Sequence, residues 1–136
     1  MKTYRNAMGV VVLLEDDKGR IALQLRDDIP DLPGANQWGL FGGLLKSGET
    51  FEACALREVN EELMVSLDPE KLKLVRRHYA PEENLETYVF HYPVTNELDD
   101  AQLQEGQTWS FKGADDLEEQ EVVFRHARIL RDYWAE

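Results

Sequence analysis

The sequence predicts a single α/β domain built as an α/β/α sandwich, a mixed sheet with a helix on each face. Three observations lead there. Short apolar runs of β type, separated by turn residues, fill much of the chain. One amphipathic helical pattern interrupts them near the middle, and a second closes the chain. The length of 136 residues suits one domain, residues 1–136, with one core.

Residues 7–14 (AMGVVVLL) are β-branched and almost continuously apolar, which predicts a strand buried on both faces. Lys2 and Arg5 before it give the start of the chain a superficial likeness to a signal peptide. The apolar run is too short, however, and it leads straight into Glu15-Asp16-Asp17. Residues 15–20 form a polar turn with Gly19 near its end. Residues 21–26 (IALQLR) read as a second strand, with Ile21, Leu23 and Leu25 on one face, and the two strands are expected to form a hairpin. Residues 27–37 hold two prolines and one glycine without any period and read as a loop beside the site. Residues 38–41 (WGLF) form a short strand, and a glycine-containing loop follows over residues 41–49.

A helix is then expected with Thr50 as its N-cap and Glu52 in its first turn. Phe51, Ala55, Val59 and Leu63 recur at i+4 and face the core. Residues 72–79 (LKLVRRHY) and 86–94 (ETYVFHYPV) read as two further strands. In the second, Tyr88, Phe90 and Tyr92 share one face, and Val89 and His91 share the other. Residues 96–105 are acidic and loop-like, and residues 108–111 (TWSF) form a last short strand. Residues 122–134 close the chain as a helix with Val123, Ala127, Leu130 and Trp134 in one stripe, widened by Ile129 and Tyr133.

Apolar residues make up 43% of the chain and aromatics 10%, which supports a packed core rather than disorder. The formal net charge of −12 excludes a broad nucleic-acid or anionic-membrane interface, since both need a basic face. It leaves a phosphorylated small molecule open, because a bound cation inverts the local sign. No run approaches the ~20 apolar residues of a membrane span. Cys54 is the only cysteine, which fits a reducing cytoplasm and rules out an internal disulfide. Its place inside the helix makes it a small buried residue rather than a nucleophile.

The chemistry concentrates in residues 42–65 (GGLLKSGETFEACALREVNEELMV). On a helix, Glu58, Glu61 and Glu62 stand at i, i+3 and i+4, on one face, away from the apolar stripe. Like charges at that spacing repel by about 0.2–0.5 kcal/mol per pair. Arg57 offsets part of this, and a hard divalent cation with oxygen ligands would offset the rest. A solvated acidic face would by itself explain these glutamates. It does not explain the whole pattern. Glycine, five residues, glutamate, seven residues and then Arg-Glu-Val-Asn-Glu-Glu resembles the Nudix box of the MutT-like Nudix hydrolases. Gly43, Glu49, Arg57, Glu58, Val59, Glu61, Glu62 and Val65 all match it. Met64 departs, standing where the family usually has a glycine that caps the helix.

That resemblance implies the same α/β/α sandwich and hydrolysis of a nucleoside diphosphate linked to another group. Mg²⁺ is the implied cofactor, with Mn²⁺ as a substitute. The implied ligands are Glu58, Glu61, Glu62 and the Gly42 carbonyl, while Arg57 pairs with Glu49 to orient the helix carboxylates. Gly43 and Glu49 are structural members of the box. The general base is either a box glutamate or an acid from a later loop. Glu105, before Gly106-Gln107, resembles such a loop glutamate, although Glu97, Asp99 and Asp100 nearby make an ordinary acidic loop the competing reading. Arg26 resembles an arginine that touches substrate phosphate in MutT-type relatives, against a surface pair with Asp27 or Asp28. Trp38, Tyr88 and Phe90 are candidates to stack a base, although aromatics at strand spacing usually belong to the core. His78, His91 and His126 are scattered singly, as ordinary surface or core histidines are.

Substrate branches stay open between a nucleoside triphosphate, possible oxidised bases included, cleaved to monophosphate and pyrophosphate, and a nucleotide sugar or related conjugate. An isoprenoid diphosphate isomerase would want a catalytic cysteine, which Cys54 does not supply. A non-catalytic nucleotide-binding module would tend to lose box glutamates, and all are present. The expected partner is a small-molecule nucleotide, without nucleic acid or membrane. Members of this family are often homodimers, and nothing in the sequence marks an interface.

Overall fold

The computed structural model describes residues 7–136; Lys2 and Arg5 lie outside the described residues. Six strands form one sheet: β1 (Ala7–Glu15), β2 (Ile21–Leu25), β3 (Trp38–Leu44), β4 (Lys73–Ala80), β5 (Leu85–Pro93) and β6 (Thr108–Lys112). Helix α1 (Phe51–Leu63) lies on one face and α2 (Phe124–Trp134) on the other. The order is β4-β5-β1-β3-β2-β6, mixed because β1 and β5 run parallel while the other pairs are antiparallel.

β1 explains why the sheet has two apolar faces. Its Val10, Val12 and Leu14 pack with Ala55, Val59 and Leu63 of α1, together with Phe41, Phe90 and Tyr92. Its Val11 and Leu13 point the other way, toward Ala127, Ile129 and Leu130 of α2. The single core expected from the length is therefore divided by the sheet into two clusters. Each fully buried Val, Leu or Phe in them contributes about 1.5–3 kcal/mol relative to exposure.

The expected hairpin forms only at its turn end. β1 and β2 meet only at Glu15 and Ile21 and then diverge. β3 enters the gap, pairing through Trp38–Leu40 with β2 and through residues 41–44 with β1. To span both neighbours it runs on through Gly42 and Gly43 to Leu44, past the end at Phe41 that its side-chain pattern suggested. Two glycines hide a strand from propensity because they carry no side chain to pack. The final helix starts at Phe124, two residues later than expected. Val122 and Val123 are held extended against β3 instead, with the Val123 N–H donating to the Trp38 carbonyl at 2.9 Å.

Helix α1 begins as its sequence requires. Thr50 caps it, its Oγ1 accepting from the Ala53 N–H at 3.1 Å. It ends on Met64 in the left-handed conformation, φ 57° and ψ 37°, whose N–H donates to the Asn60 carbonyl at 2.9 Å. The exit geometry of the usual glycine is thus kept by a residue with a Cβ, at a cost of about 1 kcal/mol. Met64 is 59% exposed, so its side chain returns little packing. Met64→Gly is expected to raise stability by up to about 1 kcal/mol, after allowance for the greater freedom of glycine in the unfolded chain. Equilibrium urea unfolding checks this, and a clear loss of stability would show that the Met64 side chain has a packing role.

Candidate active site

Arg57 is the hub of the site. Its Nε and one terminal nitrogen donate to the two oxygens of Glu49 at 2.6 and 2.9 Å, a bidentate pair. The other terminal nitrogen donates to Glu58 at 2.8 Å and to Glu61 at 3.2 Å. The Leu44 carbonyl accepts from the same guanidinium at 3.3 Å, tying the helix to the end of β3. Glu49 is fixed from behind, accepting from the Lys46 N–H at 3.1 Å. The hydrogen bonds from Arg57 hold the Glu49 carboxyl down at about 2, and those from Glu49 hold Arg57 still more firmly protonated.

The box glutamates occupy different environments. Burial pushes Glu58 up, and Arg57 opposes that shift. Its carboxyl lies directly over Gly43, where any Cβ would overlap it. Glu61 is half exposed and, among the described residues, is bound only by Arg57. Glu62 is half-buried; its Oε1 accepts from the Gly42 N–H at 3.0 Å and its Oε2 from the Gln24 amide at 3.3 Å. Burial lifts its carboxyl to about 8, against the Gly42 hydrogen bond, and the charges of Glu58, Glu105 and Glu61 add to the rise. Gly42 itself has φ 154°, and a Cβ there would strike the Val10 carbonyl, so only glycine lets β3 cross β1 at this point. Among the described residues, no three His, Cys, Asp or Glu side chains are arranged as they stand to hold a metal ion. The carboxylates are turned instead to Arg57, Gln24 and the Gly42 N–H.

These glutamates form one end of a cleft of about 380 Å³, which also takes in Glu105, Arg26, Gly42 and Gly43. The Glu105 loop is pinned on both sides. Gln102 and Gln104 donate to the Leu63 and Glu62 carbonyls at 2.8 and 2.9 Å, and the Gln107 N–H donates to Leu25 at 2.8 Å. Glu97, the nearby acid weighed against Glu105, is committed elsewhere, accepting from Tyr92 at 2.6 Å and Lys71 at 3.0 Å. Arg26 lines the cleft and forms no ion pair with Asp27 or Asp28 among the described residues.

Other candidates lie elsewhere. Trp38 is not among the residues lining the cleft; it packs at the edge of the α2-side core with the Lys112 ammonium 4.6 Å from its ring centre. Tyr88 stacks on Phe51 at 3.7 Å and Phe90 is fully buried. His91 is hydrogen-bonded to Glu15 at 2.7 Å. The buried Cys54 thiol is pushed up to about 11 by desolvation, so it stays protonated. The cleft also gathers residues that sequence reasoning passed over: Gln24, Thr87, Arg125 and His126. Gln24 had a signal, a polar residue in an otherwise apolar strand. The other three had none.

A family model described as a NUDIX domain matches residues 4–133. The chain belongs to the Nudix hydrolase family. Dihydroneopterin triphosphate diphosphatase of Escherichia coli (strain K12) is 34% identical over 76 residues, 54% of this chain and 47% of that protein. This match therefore spans about half the length of that curated relative. A bifunctional NMN adenylyltransferase/ADP ribose pyrophosphatase from Francisella tularensis superposes with a TM-score of 0.80 at 17% identity, covering 100% of this chain and 42% of that one. A MutT NUDIX hydrolase from Burkholderia pseudomallei gives 0.74 at 23% identity, covering 94% and 98%. At these identities the structural likeness is one of fold.

His126 sets an acid limit on this Nudix fold. It is buried, and desolvation, with the positive charges of Arg125, Arg26 and His78, lowers its pKa to about 3. An unfolded histidine titrates near 6.5, so below that pH the unfolded chain binds more protons than the folded one. The contribution is complete above about pH 6.5 and is lost as pH falls, by up to about 1.4 kcal/mol per unit. His126→Asn keeps an acceptor for the Leu40 N–H and removes the titration. Urea midpoints from about pH 8 to about pH 4.5 should converge for the two proteins as pH falls, or cross. A constant gap between them would disprove this assignment.

Proposed function

We propose that the protein is a metal-dependent pyrophosphohydrolase that cleaves a nucleoside triphosphate to the monophosphate and pyrophosphate. The observation that carries this is the shared cleft: Glu58, Glu61 and Glu62, braced by the Arg57–Glu49 pair, line the same space as Arg26, which forms no ion pair among the described residues. The triphosphate chemistry named for the Escherichia coli relative supports the branch chosen.

The donor set fits a hard divalent cation, Mg²⁺ with Mn²⁺ as a substitute, because every candidate ligand is an oxygen. Glu58, Glu61, Glu62 and the Gly42 carbonyl are the proposed ligands, with Glu58 and Glu61 turning from Arg57 to serve. When bound, the cation neutralises phosphate oxygens and lowers the pKa of water.

The chain's own residues supply the rest. Arg57 stays on Glu49 and the Leu44 carbonyl and keeps the helix that carries these carboxylates in place. Gln24 and the Gly42 N–H hold Glu62 against the wall of the cleft. Arg26 binds a phosphate of the substrate. Glu105, on its pinned loop, accepts the proton of the attacking water as the P–O–P bridge opens.

Glu61→Gln or Glu62→Gln is expected to lower kcat/KM by a factor on the order of 10² or more while leaving the far-ultraviolet dichroism unchanged. EDTA is expected to stop turnover, and Mg²⁺ or Mn²⁺ to restore it. Near wild-type rates in both variants would overturn the ligand assignment. Glu105→Gln should lower kcat by about 10²–10⁴ with little change in KM; a small effect would return the base to the box. Products from triphosphates, nucleotide sugars and ADP-ribose, identified by mass, test the substrate branch. Monophosphate plus phosphorylated sugar as the main products would replace it with conjugate hydrolysis.

A further inference from the structure

β2 carries one side chain that its apolar pattern does not explain. Ile21, Ala22 and Leu23 are fully buried, and Gln24 follows them at 9% exposure. A buried amide is unfavourable unless its polar atoms find partners. β2 is paired on both sides, with Gln24 opposite Gly39 of β3 and Trp109 of β6. The side chain of Gln24 therefore projects from an anchored point.

Its two polar ends face different elements. Nε2 donates to Oε2 of Glu62 on α1 at 3.3 Å. Oε1 lies against Gly106, where an added Cβ would come within 2.6 Å of it and within 2.9 Å of the Leu25 carbonyl. Gly106 also has φ 91°, in the region that favours glycine. The chain thus passes directly over the amide in a conformation that leaves it room. Residues 104–107 are tied on both sides of this contact. The Gln104 N–H donates to the Glu62 carbonyl at 2.9 Å, and the Gln107 N–H to the Leu25 carbonyl at 2.8 Å. Glu105 stands between these ties. Gln24 fills the gap between the helix that carries Glu62 and the loop that carries Glu105.

The residue type suits this place. The Gly42 N–H already holds Oε1 of Glu62, so Gln24 fixes the second oxygen. A neutral amide does so without cancelling the carboxylate charge, as a guanidinium would. Asparagine is one methylene shorter, and the paired strand cannot move to restore the reach. Ionised glutamate has no donor and would set acceptor against acceptor.

We propose that Gln24 is a positioning residue, a neutral spacer that sets the separation of Glu62 from the Glu105 loop and leaves the charge of Glu62 available to a cation. This role rests on the reading of the cleft as a metal-dependent pyrophosphohydrolase site.

The test separates the two claims. Mn²⁺ binding without substrate is measured by electron paramagnetic resonance for wild type, Gln24→Met, Glu62→Ala and the double variant, and urea unfolding checks each fold. Methionine keeps the length of Gln24 and removes its hydrogen bonds. Gln24→Met is expected to raise the Mn²⁺ Kd about 10-fold or more. In the Glu62→Ala background the same change should alter Kd by less than about twofold, because its partner is already gone. A general loss of packing would weaken both backgrounds alike. Triphosphate turnover is then measured at saturating Mn²⁺. There kcat of Gln24→Met should stay about 10-fold or more below wild type, with KM within about threefold, because the Glu105 loop has lost its support. A Mn²⁺ Kd within about twofold of wild type, equal weakening in both backgrounds, or full recovery of kcat at saturating Mn²⁺ would overturn the proposal. Should Gln24→Met fail to fold, Gln24→Asn, which keeps an amide but loses the reach, takes its place with the same expectations. Wild type that binds Mn²⁺ yet hydrolyses no triphosphate would sink the hydrolase reading, and the Mn²⁺ comparison would then decide the role of Gln24. Failure of wild type to bind Mn²⁺ would overturn both.

Discussion

Arg57 is one cation set among three carboxylates, and the geometry of the acidic end of the cleft follows from how it divides its donors. The bidentate bond to Glu49 fixes the guanidinium plane. Its remaining donors then reach Glu58, Glu61 and the Leu44 carbonyl. Helix, preceding loop and strand end are thereby locked together by a single side chain. Lysine has no such fork and could not satisfy these partners at once. Glu62, beyond the reach of Arg57, is held by the backbone of β3 and by Gln24 instead. No guanidinium compensates its charge among the described residues, and burial raises its pKa to about 8.

The cleft exists because β1 and β2 part company. Had they formed a continuous hairpin, β3 would have had no place between them, and Gly42 would not meet the end of α1. Inserting β3 brings a glycine pair beneath the box glutamates and carries Leu40 to the start of α2. One strand therefore serves both ends of the cleft. It offers the Gly42 N–H to Glu62 and the Leu40 N–H to His126.

The lining is not uniform. The box glutamates are rich in acceptors and call for cations; the rest of the lining brings Arg26, Arg125 and His126 together with Asp27 and the apolar Ile29, Leu32 and Leu85. Arg26 stands in the same cleft, with no ion-pair partner among the described residues. A nucleotide suits such a lining, with phosphates that bind through cations. The net charge of −12 does not oppose such a ligand, because the local charges decide.

Much of this was legible in the chain. The two helices, the six strands and the two-faced packing follow from hydrophobic period, which local sequence encodes directly. The acidic helix face follows from spacing within one continuous segment, since helix geometry converts i+3 and i+4 into neighbours, while the Arg57–Glu49 pairing was legible only through the resemblance to the Nudix box. Other features have no local origin. The splitting of β1 from β2 is a matter of which strands find each other, and a pair of glycines concealed how far the intervening strand runs on. The left-handed turn at Met64 depends on how the chain leaves α1, and a methionine gives no hint of it. His126 reads as an ordinary histidine until tertiary contact uses one ring nitrogen and buries the other. Short-range periodicity belongs to the sequence, then, while the meeting of residues 40, 87 and 126 belongs to the tertiary structure, because only long-range packing decides which polar atoms lose water and what remains to satisfy them.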